Sequence, residues 1–383
     1  MSSLSNTASL GSNGVRESPL RKLQTFGQSP WLDFIQRSLL ESGRLARMIV
    51  NGWGLKGVTS NPSIFEKSIV ESQEYDREIE RLAKQGYTAV PIYEALAIAD
   101  VRLAADLLRP VYDATNRVDG YVSFEVSPHF ARDARRTVAE ARRLWSAVDR
   151  PNAMIKVPGT REGLVAIRQL LADGININVT LLFSVSRYRE VAGTYLAALE
   201  DALDARRPID GIASVASFFL SRIDTAVDRE LDRLAEHGQA AAPALRGEAA
   251  VASARLAYRA FEDLIGSKRF RELAEQGARP QRLLWASTGT KNPAYSDVKY
   301  VEPLIGPQTV NTMPLATLEA YHDHGNPAAR LAGHGPEAER VLRELVEAGV
   351  DVETTTDRLL EDGIDRFVRP YDALLQALEQ RRH

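Results

Sequence analysis

The chain has 383 residues, 44% of them hydrophobic and 26% charged, with a formal net charge of −3 at pH 7. These are the proportions of a globular protein, and they give no basic surplus for a nucleic acid or an anionic membrane. The absence of cysteine excludes disulfides, thiolate catalysis and cysteine-bound zinc, and it suits a cytoplasmic location.

No apolar run reaches the length that crosses a bilayer. The first fourteen residues lack a basic segment followed by an apolar core, so they do not read as a signal peptide. Residues 1–26 are expected to be a disordered or loosely attached tail, and residues 27–383 a single domain.

From Trp31 onward, short apolar runs alternate with long amphipathic segments. Trp31–Ile35 reads as a first strand and Arg37–Val50 as a helix with Leu39, Leu40, Leu45 and Ile49 on one side. A second strand over Lys56–Asn61 stops at Pro62, and helices follow over Ile64–Lys84 and Pro91–Leu108. Gly120–Ser127 is the third strand, followed by a basic-faced helix through Val148. Met154–Val157 is the fourth strand, with a helix over Thr160–Leu171, and Asn176–Phe183 is the fifth, with Ser184 and Ser186 as caps for the next helix. Ile212–Leu220 is the sixth. A helical tract then runs over Ile223–Gln276, interrupted near Gly238–Pro243, before a seventh strand at Arg282–Thr288 and an eighth at Thr309–Met313. Further helices are expected over Glu337–Ala348 and Thr355–Gln380.

Strands that are apolar throughout, each followed by a helix, predict a closed parallel (β/α)8 barrel of TIM type. Extra helices fall between strands 6 and 7 and at the C-terminus. An open doubly wound sheet is the alternative, but no Gly-x-Gly-x-x-Gly follows any strand.

The fourth strand, Ala153-Met-Ile-Lys156-Val-Pro-Gly-Thr160, puts a lysine inside an apolar run. Burying an ammonium is costly, and a desolvated amine that is neutral part of the time can attack a carbonyl to form a Schiff base. A lysine that snorkels to solvent is the commoner outcome for such a residue taken alone. The other strands, however, also carry polar groups: Asp33, Asn61, Glu125, Asn178 with Thr180, Ser217 and Ser287. Asp33 could instead pair with an arginine, and Asn61 could cap a helix. In a barrel, catalytic groups gather from the C-terminal ends of several strands. An iminium on Lys156 needs an acid/base, for which Asp33 and Glu125 are candidates, and Glu125 with Thr180 could orient a water. Asn61 and Asn178 suit substrate hydroxyls. Ser217, Arg222 and Ser287 stand where barrels place a phosphate.

At these residues the sequence resembles the transaldolases, Schiff-base enzymes of the non-oxidative pentose phosphate pathway. The matching text is Gly57-Val-Thr-Ser-Asn-Pro-Ser63, Ile155-Lys-Val-Pro-Gly-Thr160, Ile175-Asn-Ile-Asn-Val-Thr-Leu-Leu-Phe-Ser184 and Ala216-Ser-Phe-Phe-Leu-Ser-Arg222. The likeness runs in order from about Trp31 to the C-terminus, and its length resembles the longer-chain subfamily. It implies Lys156 as the iminium nucleophile, Asp33 as acid/base, and Glu125 with Thr180 on the catalytic water. It also implies Asn61 and Asn178 on the dihydroxyacetone moiety, and Ser217 and Arg222 on the phosphate. Many transaldolases carry a second phosphate-binding arginine after the seventh strand, where this chain has Ser287-Thr-Gly-Thr-Lys291; Lys291 is the candidate replacement.

The implied reaction moves a dihydroxyacetone unit from sedoheptulose 7-phosphate to glyceraldehyde 3-phosphate, giving erythrose 4-phosphate and fructose 6-phosphate. Its partners are small sugar phosphates, and no cofactor or metal is expected, because the iminium is itself the electron sink. His322-Asp-His324 invites a metal reading but is expected to be a solvated loop. Two alternatives stay open: an aldolase of the fructose-6-phosphate type that releases free dihydroxyacetone, and a non-catalytic sugar-phosphate-binding barrel. Whether the chain is a monomer or a homodimer is not encoded in these motifs.

Overall fold

The computed structural model describes residues 18–238 and 242–382. Eight strands, β1 (Gln28–Asp33), β2 (Gly57–Thr59), β3 (Tyr121–Glu125), β4 (Ala153–Pro158), β5 (Ile177–Leu182), β6 (Ser214–Phe219), β7 (Arg282–Ala286) and β8 (Thr309–Met313), form a closed barrel in sequence order. Every neighbouring pair is parallel, including β1 with β8. The predicted (β/α)8 TIM barrel is therefore the observed fold. Helices on the outside cover strands that are buried on both faces, which is why the strands read as apolar runs.

The first strand begins earlier than expected, at Gln28, ends at Asp33, and takes in Pro30. Its carbonyl accepts from the Lys56 N–H at 2.8 Å, so only the absent proline N–H is lost from the ladder. Facing this strand, Gly57 has no room for a side chain: a Cβ there would stand 2.4 Å from the Trp31 ring.

Two long predicted helices are each broken. Arg37–Val50 divides into Arg37–Glu41 and Arg44–Val50, with Gly43 between them at φ 71°, a left-handed conformation that ends a helical run. Ile64–Lys84 divides into Pro62–Val70 and Asp76–Lys84. The tract between β6 and β7 contains helices Ser221–Glu236, Ala249–Ile265 and Lys268–Glu275, while part of its expected interruption, residues 239–241, lies outside the described residues. His322 and His324 close a helix, Leu315–His324, rather than sitting in a loop. His322 stacks on Trp53 and meets the Ser18 hydroxyl at 2.8 Å, and His324 pairs with Asp297 at 3.0 Å.

The expected tail is described only from Ser18. There Pro19–Leu23 is helical, with Leu20 and Leu23 fully buried, so ordered structure starts before residue 27.

The C-terminal helix, Val352–Arg381, does the most to shape the site. Asp351 caps it by accepting from the Thr354 N–H at 3.0 Å. Gly363 lets it approach β5: a Cβ there would stand 3.1 Å from Leu181 Cδ2. Farther along, Phe367 and Tyr371 are buried, and Arg381 donates to the carbonyls of Ile69 and Val70, the unpaired end of helix Pro62–Val70. The helix thus crosses the C-terminal mouth of the barrel from one side to the other.

Candidate active site at the C-terminal mouth of the barrel

Strand register sets the level of the candidate groups. Glu125 of β3 stands opposite Lys156 of β4, and Lys156 stands opposite Asn178 of β5. Lys156 is 4% exposed, and its Nζ lies 3.3 Å from Glu125 Oε2 and donates to the Ser60 carbonyl at 2.9 Å. The ammonium is therefore held by one carboxylate and one backbone oxygen rather than reaching solvent. The snorkelling alternative does not apply.

A cavity of about 160 Å³ opens beside this amine. Seven of the ten candidate residues line it: Asp33, Asn61, Lys156, Ser217, Arg222, Ser287 and Lys291. The other three, Glu125, Thr180 and Asn178, are buried behind it in the barrel interior. Asn178 is tied into a chain: it donates to Ser123 Oγ at 3.0 Å and accepts from Ser217 Oγ at 2.6 Å. Ser217 thus spends its proton on Asn178 and offers the cavity only lone pairs.

Asp33 ends β1 and accepts from Thr59 Oγ1 at 2.6 Å, and Thr59 meets Thr312 at 2.7 Å. Burial raises the Asp33 carboxyl above its ordinary value, with Lys156 opposing the shift. Glu125 is raised for the same reason, again against the pull of Lys156. Two carboxyls so placed around one amine are suited to holding and passing protons.

Among the described residues, Glu125 Oε1 and Thr180 Oγ1 are buried without a hydrogen-bond partner, while Glu125 Oε2 has only its contact with Lys156. Unsatisfied buried polar atoms are uncommon, and one on each of the two strands that flank β4 suggests a place for water beside Lys156. Thr180 lies where β5 slips register against β6, between Val179 and Leu182, and the next residue, Leu181, takes φ 61°. Such irregularities re-aim side chains beside active sites, and a non-glycine residue in this region stores strain.

Asn61 caps helix Pro62–Val70 through its Oδ1, 3.1 Å from the Ile64 N–H, which orients its amide nitrogen away from that helix end. Both readings of this residue, cap and cavity group, hold together. At the far wall, Ser287 takes φ 53° and its hydroxyl meets Ser221 Oγ at 2.9 Å. Ser221 begins helix Ser221–Glu236, and Arg222 follows it. The Arg222 guanidinium sits between the rings of Phe219 and Phe367, at 5.4 and 5.7 Å. It makes no ion pair among the described residues, its Nη1 is buried without a partner, and burial pushes its pKa down to about 10. A half-buried cation without an ion pair, at a helix start, is suited to receive an anion. Lys291 is exposed at the rim.

Sequence reasoning missed Phe367, which stands 5.9 Å from Lys156 Nζ and covers both cations. Helical periodicity marks it as apolar, but nothing local says that this turn meets the barrel mouth. The Ser60 carbonyl that holds Lys156 was equally invisible, since a backbone acceptor leaves no residue signature.

A sequence model of the family described as Transaldolase/Fructose-6-phosphate aldolase matches residues 30–378. The chain is similar to the Transaldolase of Thermobifida fusca, 49% identical over 364 residues that cover 95% of this chain and 98% of that protein. It is similar to Transaldolase 2 of Nostoc punctiforme at 45% over 370 residues, 94% and 97% of the two chains. The Transaldolase of Saccharopolyspora erythraea is 46% identical over 364 residues, 95% and 97% of the two chains. With its barrel and its buried strand-four lysine, the chain belongs to the transaldolase/fructose-6-phosphate aldolase family and is an enzyme of the transaldolase type.

Proposed function

We propose that the chain transfers a dihydroxyacetone unit between sugar phosphates through a Schiff base on Lys156, as a cytoplasmic enzyme. The observation that carries the reading is the Lys156 amine, nearly sealed from solvent, in contact with Glu125 and lining a cavity with Asp33 and the unpaired Arg222.

In this reading the donor ketose phosphate docks its phosphate against Arg222, with the Ser287 hydroxyl and the Lys291 ammonium completing the anion site. Its ketone carbon then faces Lys156. Proton transfer from the ammonium to a carboxylate frees the lone pair, the amine adds to the ketone, and loss of water gives the iminium. Glu125 and Thr180 hold that water, consistent with the unpartnered Glu125 Oε1 and Thr180 Oγ1. Asp33 takes the proton from the hydroxyl on the fourth carbon as the bond between carbons three and four breaks, and the iminium accepts the electron pair as an enamine. Asn61 and Asn178 bind the hydroxyls of the retained three-carbon unit. The incoming aldose phosphate then reacts in reverse, Asp33 returning its proton, and hydrolysis frees Lys156.

The test is turnover of fructose 6-phosphate with erythrose 4-phosphate, following sedoheptulose 7-phosphate and glyceraldehyde 3-phosphate. Release of free dihydroxyacetone at a rate independent of the acceptor would make the chain an aldolase instead. Binding without either product would reduce it to a sugar-phosphate-binding barrel.

A further inference from the structure

The opposite end of the barrel holds a cavity of about 710 Å³, far larger than the space around Lys156. It shares no lining residue with the site just described. Its walls come from the N-terminal ends of the strands and the loops before them.

Four cationic side chains line it, Lys56, Arg117, Arg279 and Arg282, against a single carboxylate, Asp119. That carboxylate is already occupied. It accepts from Ser29 Oγ at 2.7 Å, Trp31 Nε1 at 3.1 Å and Arg282 Nη2 at 2.9 Å. Arg282 is spent with it. Among the described residues, Lys56, Arg117 and Arg279 make no ion pair, although the chain as a whole carries a net charge of −3. Arg279 is positioned by a hydrogen bond from Nη1 to the Asn116 carbonyl at 2.6 Å. Three uncompensated cations around one concavity raise the local concentration of anions.

One wall is closed by Gln28. It lines the same cavity, is fully buried, and spends its amide nitrogen on the Leu304 carbonyl at 2.7 Å and Thr309 Oγ1 at 3.0 Å. Its Oε1 has no partner among the described residues. An acceptor so enclosed is not reached from the cavity, so Gln28 closes its wall rather than receiving a ligand. Val118, Pro280 and Pro307 add apolar wall, so the space is not shaped for a bare ion. Its size falls within the range of small-molecule sites.

We propose that this cavity binds a phosphorylated metabolite of nucleotide size. The phosphates meet Arg117, Arg279 and Lys56, and the apolar walls take a ring.

Isothermal titration calorimetry on the full chain tests this, with adenosine triphosphate as the probe and inorganic pyrophosphate as the charge-only comparison. Three proteins are compared: the unaltered chain, the double variant Arg117→Ala/Arg279→Ala, and Arg222→Met, which removes the cation of the catalytic face. The proposal expects binding to the unaltered chain, equal binding to Arg222→Met, and at least about tenfold weaker binding to the double variant. The double variant should keep its turnover of fructose 6-phosphate, which confirms that it is folded. No binding to the unaltered chain overturns the proposal. So does binding that the double variant retains, or that Arg222→Met loses. Pyrophosphate binding as tightly as the nucleotide would overturn the assigned ligand class.

Discussion

Arg222→Met isolates the anion site, because methionine keeps much of the apolar stem between Phe219 and Phe367 while removing the charge. The magnitude follows from the empty site. Burial pushes the guanidinium down to about 10, and at about 1.4 kcal/mol per pH unit the unliganded pocket disfavours its charge by roughly 3 kcal/mol. Water still reaches part of the side chain, which reduces the net cost to about 1–2 kcal/mol. A phosphate dianion removes that cost and adds charge-assisted hydrogen bonds, so losing the arginine should weaken phosphorylated ligands by about 2–4 kcal/mol. That corresponds to a kcat/KM for fructose 6-phosphate lower by roughly 30- to 900-fold. Turnover of unphosphorylated fructose should hardly change. The ligand-free variant should be as stable as the parent in urea unfolding, or up to about 1 kcal/mol more so, as expected where a functional site stores an uncompensated charge. Equal losses for the two sugars, together with destabilisation above about 2 kcal/mol, would refute the reasoning and make Arg222 a structural residue.

Lys291→Ala, at an exposed rim position, should cost about half of the Arg222 effect or less, read as KM for fructose 6-phosphate. Glu125→Gln should slow single-turnover imine formation by about 10²- to 10⁴-fold with little change in sugar binding, and an unchanged stopped-flow rate would remove its role with the water. Phe367→Leu takes away the ring that covers Lys156 and Arg222; the ratio of free dihydroxyacetone released to sedoheptulose 7-phosphate formed should rise several-fold, as water reaches the enamine more easily. Asp224 lies beneath the loop that carries Lys291, bonded to Tyr300 and the Ala250 N–H, and burial raises it from 3.8 to about 6. Its folded value exceeds its unfolded one, so the ionised group costs stability that is absent below about pH 4 and fully felt above about pH 6. Urea unfolding across that window should therefore show the stability of Asp224→Asn improving, relative to the parent, as pH rises; a pH-independent difference would mean Asp224 does not titrate there.

What the sequence disclosed is the part written in side chains of defined type. The strand-four lysine, the Asn-Pro-Ser cap at Asn61 and the Asn178-Val-Thr180 strand each announce both element and chemistry, because a polar residue in a buried run must be satisfied or used. What it concealed depends on contacts between distant segments. Gly43 and the break after Val70 divide helices whose apolar periodicity runs on unbroken, since period alone does not register a single left-handed residue. Phe367 reaches the site only because Gly363 allows its helix to lie against Leu181, an approach set by packing across nearly half the chain. Ser217, grouped with the phosphate from its position, directs its proton to Asn178, a preference decided by barrel register rather than by local sequence.

The most direct test of the account is borohydride reduction in the presence of fructose 6-phosphate, followed by mass analysis of the lysine-containing peptides. The account predicts a reduced dihydroxyacetone adduct on Lys156 alone, and its loss in Lys156→Arg, whose guanidinium keeps the charge and cannot form an imine. An adduct on another lysine, or trapping undiminished in Lys156→Arg, would contradict it.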